Sequence, residues 1–520
     1  MYNSKSLLLL LCVCIASAHT LFGQGYRYTV DLNRLEDDKF NVTLLTPALS
    51  DSKVIFALPK IIPGTYAVSD YGAFAANVVA EDRNGRRLPV KQLNTNQWEI
   101  GQARRLYKIT YEVEDIFDTD KEHKIYPMAA TNIEENNVVV HTPGIFGYLD
   151  GQNSVPVELT FIKPDGFYGS AAKEPKESTQ TRDVFEMKNV DELYDTPIMY
   201  GVPDTTMVQV GNCEVLVSVY SPNKVLNSKE IAGWLTDLLH GARKYLGGKL
   251  PADRYAFLYY FKDMEIEQSF PRGLGGALEH TTSSFYYIPE LPADVLKNML
   301  VDVSSHEFFH IITPLTIASR EVKEFNYNEP VLSKHLWLYE GTTEYTAHHV
   351  QVQNGINTPQ QFLDKLAAKI IDSRENYNDT LAFTQLSKYA ASTYADQYGN
   401  VYEKGALIGA CLDIYLLHLS DGGYGLKDLT HDLGVRYGKD SYFEDEELFD
   451  EIARLSYPEA KAFLEKYVEG REAIPYEYYF GLAGIHYQPR AEKKLVIDEA
   501  AGADATRIRA IWLNGTGPCE

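Results

Sequence analysis

Cysteine is scarce in this chain: five residues in 520, at positions 12, 14, 213, 411 and 519. Two fall in an apolar N-terminal stretch, and the other three are too few and too scattered for a disulfide framework. No C-x-x-C pair offers a thiolate metal site. Packing must therefore supply the stability. Blocks of basic residues are missing as well. Lys and Arg number 49 against 72 Asp and Glu, a formal net charge of -23 spread without an acidic tail. This excludes nucleic acid and anionic membrane surfaces as partners, because phosphate binding draws its strength from a concentrated cationic patch that releases counterions. Fixed-period repeats and low-complexity tracts are also absent.

Apolar runs long enough to cross a bilayer are lacking too. The stretch from Leu7 to Ala16 is too short for a span, and it has Lys5 before it and the small residues Ala16, Ser17 and Ala18 at its end. Residues 1–24 therefore read as a secretory signal peptide, cleaved near Ala18 or slightly later. A lipoprotein anchored at Cys12 or Cys14 is the alternative, disfavoured by the bulky Leu11 and Val13 that precede them. The expected location is secreted or periplasmic, with no integral membrane span in the mature chain.

What the chain does have is enough apolar matter, 45% of its residues, for two to four packed domains. Residues 25–205 carry short alternating runs such as KVIFALP, LYKITYEVED, NNVVVHT and PVELTFIKP. The pairs Asn84-Gly85, Asp150-Gly151 and Asp165-Gly166 punctuate them, so this region is expected to be an all-β, sandwich-like domain. Within it PKIIPGTYAVSDYG, residues 59–72, reads as a rigid turn covered by aromatic rings. From 206 to 475 the texture turns helical. KEIAGWLTDLLHGARKY, ADVLKNMLVDVSSHEFFHII, LSKHLWLYEGTTEYTAHHV and YEKGALIGACLDIYLLHL show apolar residues at helical spacing, around a strand-like YAFLYYF. Thr358-Pro359 marks a helix start, an N-cap residue followed by proline at the first helical position.

The chemistry concentrates at HEFFH. On a helix, His306 and His310 share a face and can aim both imidazoles at one point, with Glu307 beside it. Two neutral imidazoles can hold zinc there while an unligated carboxylate takes a proton from water. Val301, Val303, Phe308, Phe309, Ile311 and Ile312 make this helix apolar on most sides. A buried helix keeps such polar groups for a reason, since each unpaired one costs about 1–3 kcal/mol. A catalytic zinc takes three protein ligands, and the candidates for the third are Glu321, Glu324, Glu329, Glu340 and Glu344. Glu329 precedes Pro330, which disfavours a helix-borne ligand. Glu340 sits inside a long helical run and is the expected third ligand. Glu344, one turn on, is the fallback, or a partner that orients a histidine.

These segments carry a resemblance. HEFFH followed by LWLYEGTTEY, together with LPKIIPGTYAVSDYG, DELYDTPIMYG and GGALEH, is similar to the glycyl-aminopeptidase family of gluzincin metallopeptidases over most of the chain. The resemblance implies a multidomain protein. An all-β N-terminal domain precedes an α+β thermolysin-like catalytic domain dominated by helices. Residues 476–520 then form a partial PDZ-like segment, in which FGLAGIHYQP and RIRAIWLNGTGPCE look like opening strands. It implies one zinc ion per chain, peptide substrates with a free N-terminus, and removal of N-terminal residues, small ones such as glycine or alanine included. Glu279 in GGALEH resembles the exopeptidase glutamate that pairs with the substrate ammonium, with Gly276 letting the substrate backbone approach and His280 shaping the site. Tyr402 in VYEKGAL resembles the phenol that donates to the oxyanion. Two departures, IITPLTIASR after the histidines and Thr342 after Glu340-Gly341, would reshape the substrate pocket. The competing readings are a peptide-binding protein with a structural zinc, and a zinc endopeptidase or hydrolase of non-peptide substrates. Glu307 argues against the first, Glu279 against the second.

Overall fold

The computed structural model describes residues 25–265, 275–488 and 494–515. The expected signal peptide and the segment holding Cys519 lie outside the described residues. The chain divides into two compact units, Met1–Asp204 with Met264–Gly276, and Thr205–Asp263 with Ala277–Glu520.

The first unit is built on three β-sheets, of seven, four and four strands. Its alternating sequences set the register. Tyr26, Tyr28 and Val30 point inward from Tyr26–Asp31, and Phe40, Val42 and Leu44 from Lys39–Leu45, each one fully or nearly fully buried. The expected runs form strands Lys53–Ala57, Leu106–Glu114, Asn137–Val140 and Val157–Ile162. At all three expected turns the glycine is left-handed, with φ of 74° at Gly85, 74° at Gly151 and 84° at Gly166. The turn at 59–72 is tied down by rings as expected: Tyr71 is buried, and its hydroxyl donates to the Ala129 carbonyl at 2.7 Å.

The second unit carries a five-stranded sheet made of β1 (Thr205–Val210), β2 (Cys213–Tyr220), β3 (Arg254–Lys262), β4 (Gly276–His280) and β5 (Ser283–Pro289), in the order β1-β2-β3-β5-β4. β3 runs parallel to both β2 and β5, and its interior is buried on both faces, as YAFLYYF requires. Helix α1 (Ser228–Tyr245) is capped by Asn227, whose side chain accepts from the Glu230 N–H. Helix α2 (Ala293–Phe309) carries the His-Glu-x-x-His sequence and lays Phe308 on Tyr255 and Phe257 of β3, with centroids 5.0 and 6.4 Å apart. Contrary to the sequence expectation, α2 is not buried throughout. Lys297, Asn298 and Met299 are exposed, and only its C-terminal half is enclosed.

Helices α3 (Thr342–Gln353), α4 (Pro359–Asn376) and α5 (Asn400–Leu419) pack behind the histidines. Thr358 caps α4 with a capping box to Gln361. LSKHLWLYEGTTEYTAHHV is not one uniform helix: Trp337–Gly341 is a π-helical turn ahead of α3, and Ser333 and Lys334 instead bond to Asp445. Beyond residue 475 the chain forms a hairpin of β6 (Ile485–Gln488) and β7 (Lys494–Ile497), then helix α6 (Ala503–Asn514). RIRAIWLN is thus helical, correcting the expected strand. Ile508 and Trp512, four apart, bury one helical face, and Gly515 closes the helix in the left-handed region. Among the described residues no helix is long and apolar enough to cross a membrane.

Candidate metal centre

The last turn of α2 sets two imidazoles side by side. His306 Nδ1 donates to Glu344 Oε2 at 2.7 Å and His310 Nδ1 donates to the Thr313 carbonyl at 3.0 Å. With Nδ1 carrying the proton in each ring, both Nε2 lone pairs turn the same way, and the two nitrogens face each other at 3.0 Å. Glu340 Oε2 completes the triangle, 3.4 Å from His306 Nε2 and 3.6 Å from His310 Nε2. Nitrogens so close need a proton on one ring or a metal cation between them.

The third donor is placed by a backbone contact. The π-turn and α5 meet at Gly341 and Gly405, so closely that a Cβ on Gly341 would lie 2.6 Å from Gly405 and one on Gly405 2.7 Å from the Gly341 Cα. Side chains at either position would hold the two elements apart. The contact seats Glu340, just before Gly341, and Tyr402, three residues before Gly405, in one site. π-turns of this kind favour functional positions because they re-aim side chains within a helix. Glu344 lies not among the ligand atoms but behind His306, in the orienting position. Glu321, Glu324 and Glu329 belong to neither metal-competent cluster found among the described residues.

The remaining site residues separate cleanly. Glu307 is buried, its Oε2 has no hydrogen-bond partner, and it forms a second cluster with Glu279 and His310, their ligand atoms within 4.8 Å of one another. Glu279 stands on β4, the edge strand of the sheet, which Gly276 opens. Strand alternation sends His280 to the face opposite Glu279, where it is buried, so the geometry does not bring it to this cluster. The Tyr402 ring centroid lies 5.6 Å from that of His306.

The electrostatics call for a cation. Burial, reinforced by Glu340 and Glu307, pushes the Glu279 carboxyl well above its usual range, and burial with Glu340 and Glu344 raises Glu307. Burial works against charge on both histidines and takes His310 down to about 4, yet hydrogen bonding to Glu340 and Glu344 holds His306 well above the ordinary imidazole range. Burial, then the Glu340 charge, keeps the Tyr402 phenol neutral. Two imidazole nitrogens and one carboxylate oxygen form a donor set suited to a divalent ion such as zinc, with the unpartnered Glu307 Oε2 beside it.

The support behind this site was not picked out from the sequence. Glu344 accepts from Lys369 at 2.7 Å and from His348 at 3.1 Å, and His348 Nδ1 in turn lies 3.7 Å from Asp302, which Lys365 grips at 2.6 Å. One signal was available: Lys369 interrupts the apolar stripe of Phe362, Leu366 and Ile370 on α4, and a lysine on a buried face needs a carboxylate.

Comparison with known proteins bears on the whole chain. Residues 27–202 match the Peptidase M61 N-terminal domain, and residues 299–408 match the M61 glycyl aminopeptidase domain. No curated protein matches the chain. Among solved structures, an aminopeptidase N family protein from Idiomarina loihiensis shares 20% identity over 89% of this chain and 79% of that one, with a TM-score of 0.75. The M1 zinc metallopeptidase from Deinococcus radiodurans is 14% identical over 87% of this chain and 95% of its own, TM-score 0.52. Native yeast LTA4 hydrolase is 14% identical over 87% of this chain and 68% of its own, TM-score 0.53. These likenesses show a shared fold, an all-β region followed by a mostly helical region. Since two domains of one family, together spanning more than half the chain, match in order, and the second contains the buried His/Glu cluster, the chain belongs to the M61 glycyl aminopeptidase family and is a zinc metallopeptidase.

Proposed function

We propose that the protein is an exported aminopeptidase that removes N-terminal residues, small ones such as glycine and alanine among them, from peptides. The observation that carries the reading is Glu307 Oε2, buried and unpaired beside the triangle of His306, His310 and Glu340. A metal held only for structure has no use for such a base. Zinc held by those three residues would polarise the scissile carbonyl and acidify water. Glu307 takes the proton of the attacking water and passes it to the leaving amine. Tyr402, kept neutral by burial, directs its phenol O–H as a hydrogen-bond donor to the carbonyl oxygen as negative charge grows there. Glu279, on an edge strand, pairs with the substrate ammonium and so selects the first residue of a chain. Export rests on the N-terminal sequence alone.

One assay tests this: aminoacyl-coumarin substrates with varied first residues, and their N-acetylated counterparts, with and without a chelator. Turnover is expected only on free amines, lost to the chelator and restored by zinc. Glu279→Ala should depress free-amine substrates most; equal loss on acetylated peptides would favour an endopeptidase. Glu307→Ala should retain zinc and lose turnover, whereas surviving activity would refute the assigned base.

A further inference from the structure

Tyr402 does not stand alone. One helical turn earlier, Tyr398 shares its face, and the two phenol oxygens are 2.9 Å apart with the rings edge to face at 5.7 Å. The entry to α5 fixes this geometry. Tyr398 follows the 3-10 turn Ala395–Gln397, its carbonyl accepts from the Val401 N–H at 2.9 Å, and the Gly399 carbonyl accepts from the Tyr402 N–H at 3.2 Å. Gly399 lies beneath the Tyr377 hydroxyl, where a Cβ would come within 2.0 Å of that oxygen, so the turn between the two tyrosines packs without slack. Both tyrosine residues are half-buried overall.

A gap of 2.9 Å between two hydroxyl oxygens holds one proton. When Tyr402 aims its own O–H at the substrate carbonyl, the shared proton must be that of Tyr398, donated to the Tyr402 oxygen. An O–H group whose oxygen accepts a hydrogen bond is a stronger donor, because chained hydrogen bonds polarise one another in a low-dielectric site. We propose that Tyr398 is a positioning residue for the oxyanion donor: it locks the Tyr402 O–H toward the scissile carbonyl and strengthens it as charge develops. This rests on the role given to Tyr402 above and deepens it.

Because the pair works only when charge builds on the carbonyl oxygen, its loss should fall on kcat and spare KM. Tyr398→Phe removes one oxygen from a half-buried ring; zinc content and melting temperature are measured alongside to show that the fold and metal site are intact. The expected result is a kcat three- to tenfold lower with KM changed less than twofold, and no further loss when Tyr398→Phe is added to Tyr402→Phe. A Tyr398→Phe enzyme within 1.5-fold of the parent, a loss confined to KM, or a loss that persists undiminished in the Tyr402→Phe background would overturn the proposal. If Tyr402→Phe alone leaves kcat unchanged, the oxyanion role of Tyr402 falls, and that of Tyr398 with it. If Tyr402→Phe is slow but Tyr398→Phe is not, Tyr398 alone is wrongly assigned.

Discussion

Replacing Glu344 by glutamine probes how the site holds its metal without touching a ligand. The carboxylate now accepts from three donors at once: His306 Nδ1 at 2.7 Å, Lys369 at 2.7 Å and His348 at 3.1 Å. Glutamine keeps the shape, loses the charge, and brings an NH2 group to a place lined with donors. Losing a charge-assisted hydrogen bond costs about 1.5–3 kcal/mol, and outer-shell changes of this kind weaken metal binding by roughly ten- to hundredfold. Competition with a chromophoric chelator should therefore show the zinc dissociation constant rising by about that factor, with turnover largely restored by excess zinc. A second cost appears in the metal-free protein, where Lys369, only 11% exposed, keeps just the more distant Glu403 at 3.5 Å. Leaving a buried charge wholly unpaired costs about 3–5 kcal/mol, an upper bound here because Glu403 remains, so adding Lys369→Met to Glu344→Gln should recover stability but not zinc affinity. A dissociation constant within about twofold of the parent would refute the tether, and a double variant as unstable as Glu344→Gln would refute the account of Lys369.

Gly405→Ala would drive a methyl into the Gly341 backbone; a kcat loss of at least tenfold and a destabilisation of about 1–3 kcal/mol are expected, while Gly233→Ala on α1, with nothing within 4 Å, should be neutral or slightly stabilising by urea titration. Asp302 governs an acid limb. Burial raises its carboxyl, but His348 and Lys365 outweigh that and bring it from 3.8 down to about 2. The ionised form thus favours the folded chain in full above pH ~4, by on the order of 2 kcal/mol, and that contribution fades as pH falls toward 2. The stability gap between the parent and Asp302→Asn should shrink over that window, and a constant gap would contradict the shift. Trp512→Ala empties a fully buried site and strips the Tyr345 hydroxyl of its indole donor at 2.7 Å. Denaturant unfolding should report a loss of about 3–5 kcal/mol.

Much of this site was legible because its chemistry repeats at short intervals. A four-residue spacing on a helix puts His306 and His310 on one face whatever surrounds them, and the apolar stretch around them foretold burial of the last turn. Glu340 was legible as a ligand, but not the π-turn that aims it, since that depends on α5 arriving at Gly341 from sixty residues downstream. Alternation revealed the strands of the first unit and, applied to β4, would have separated His280 from Glu279. The helix at Ala503–Asn514 was misread because RIRAIWLN is rich in β-branched and aromatic residues. Its tertiary socket, which takes Ile508 and Trp512 on one face, decided the matter. The network from Lys369 through Glu344 and His348 to Asp302 joins α4, α3 and α2, and no local pattern announces a meeting of three helices.

That socket has a consequence for handling the protein. Trp512 fits against His349 and Phe362, and its carbonyl accepts from His349 Nε2 at 2.7 Å across 163 residues of sequence. Expression boundaries drawn shortly after residue 475, where the texture of the chain invites a cut, would leave the rear of the helix bearing Glu344 open to water. A fragment ending there should be recovered as an aggregating, zinc-poor species, and a peptide spanning 476–515 supplied in trans is the reagent to try for restoring it.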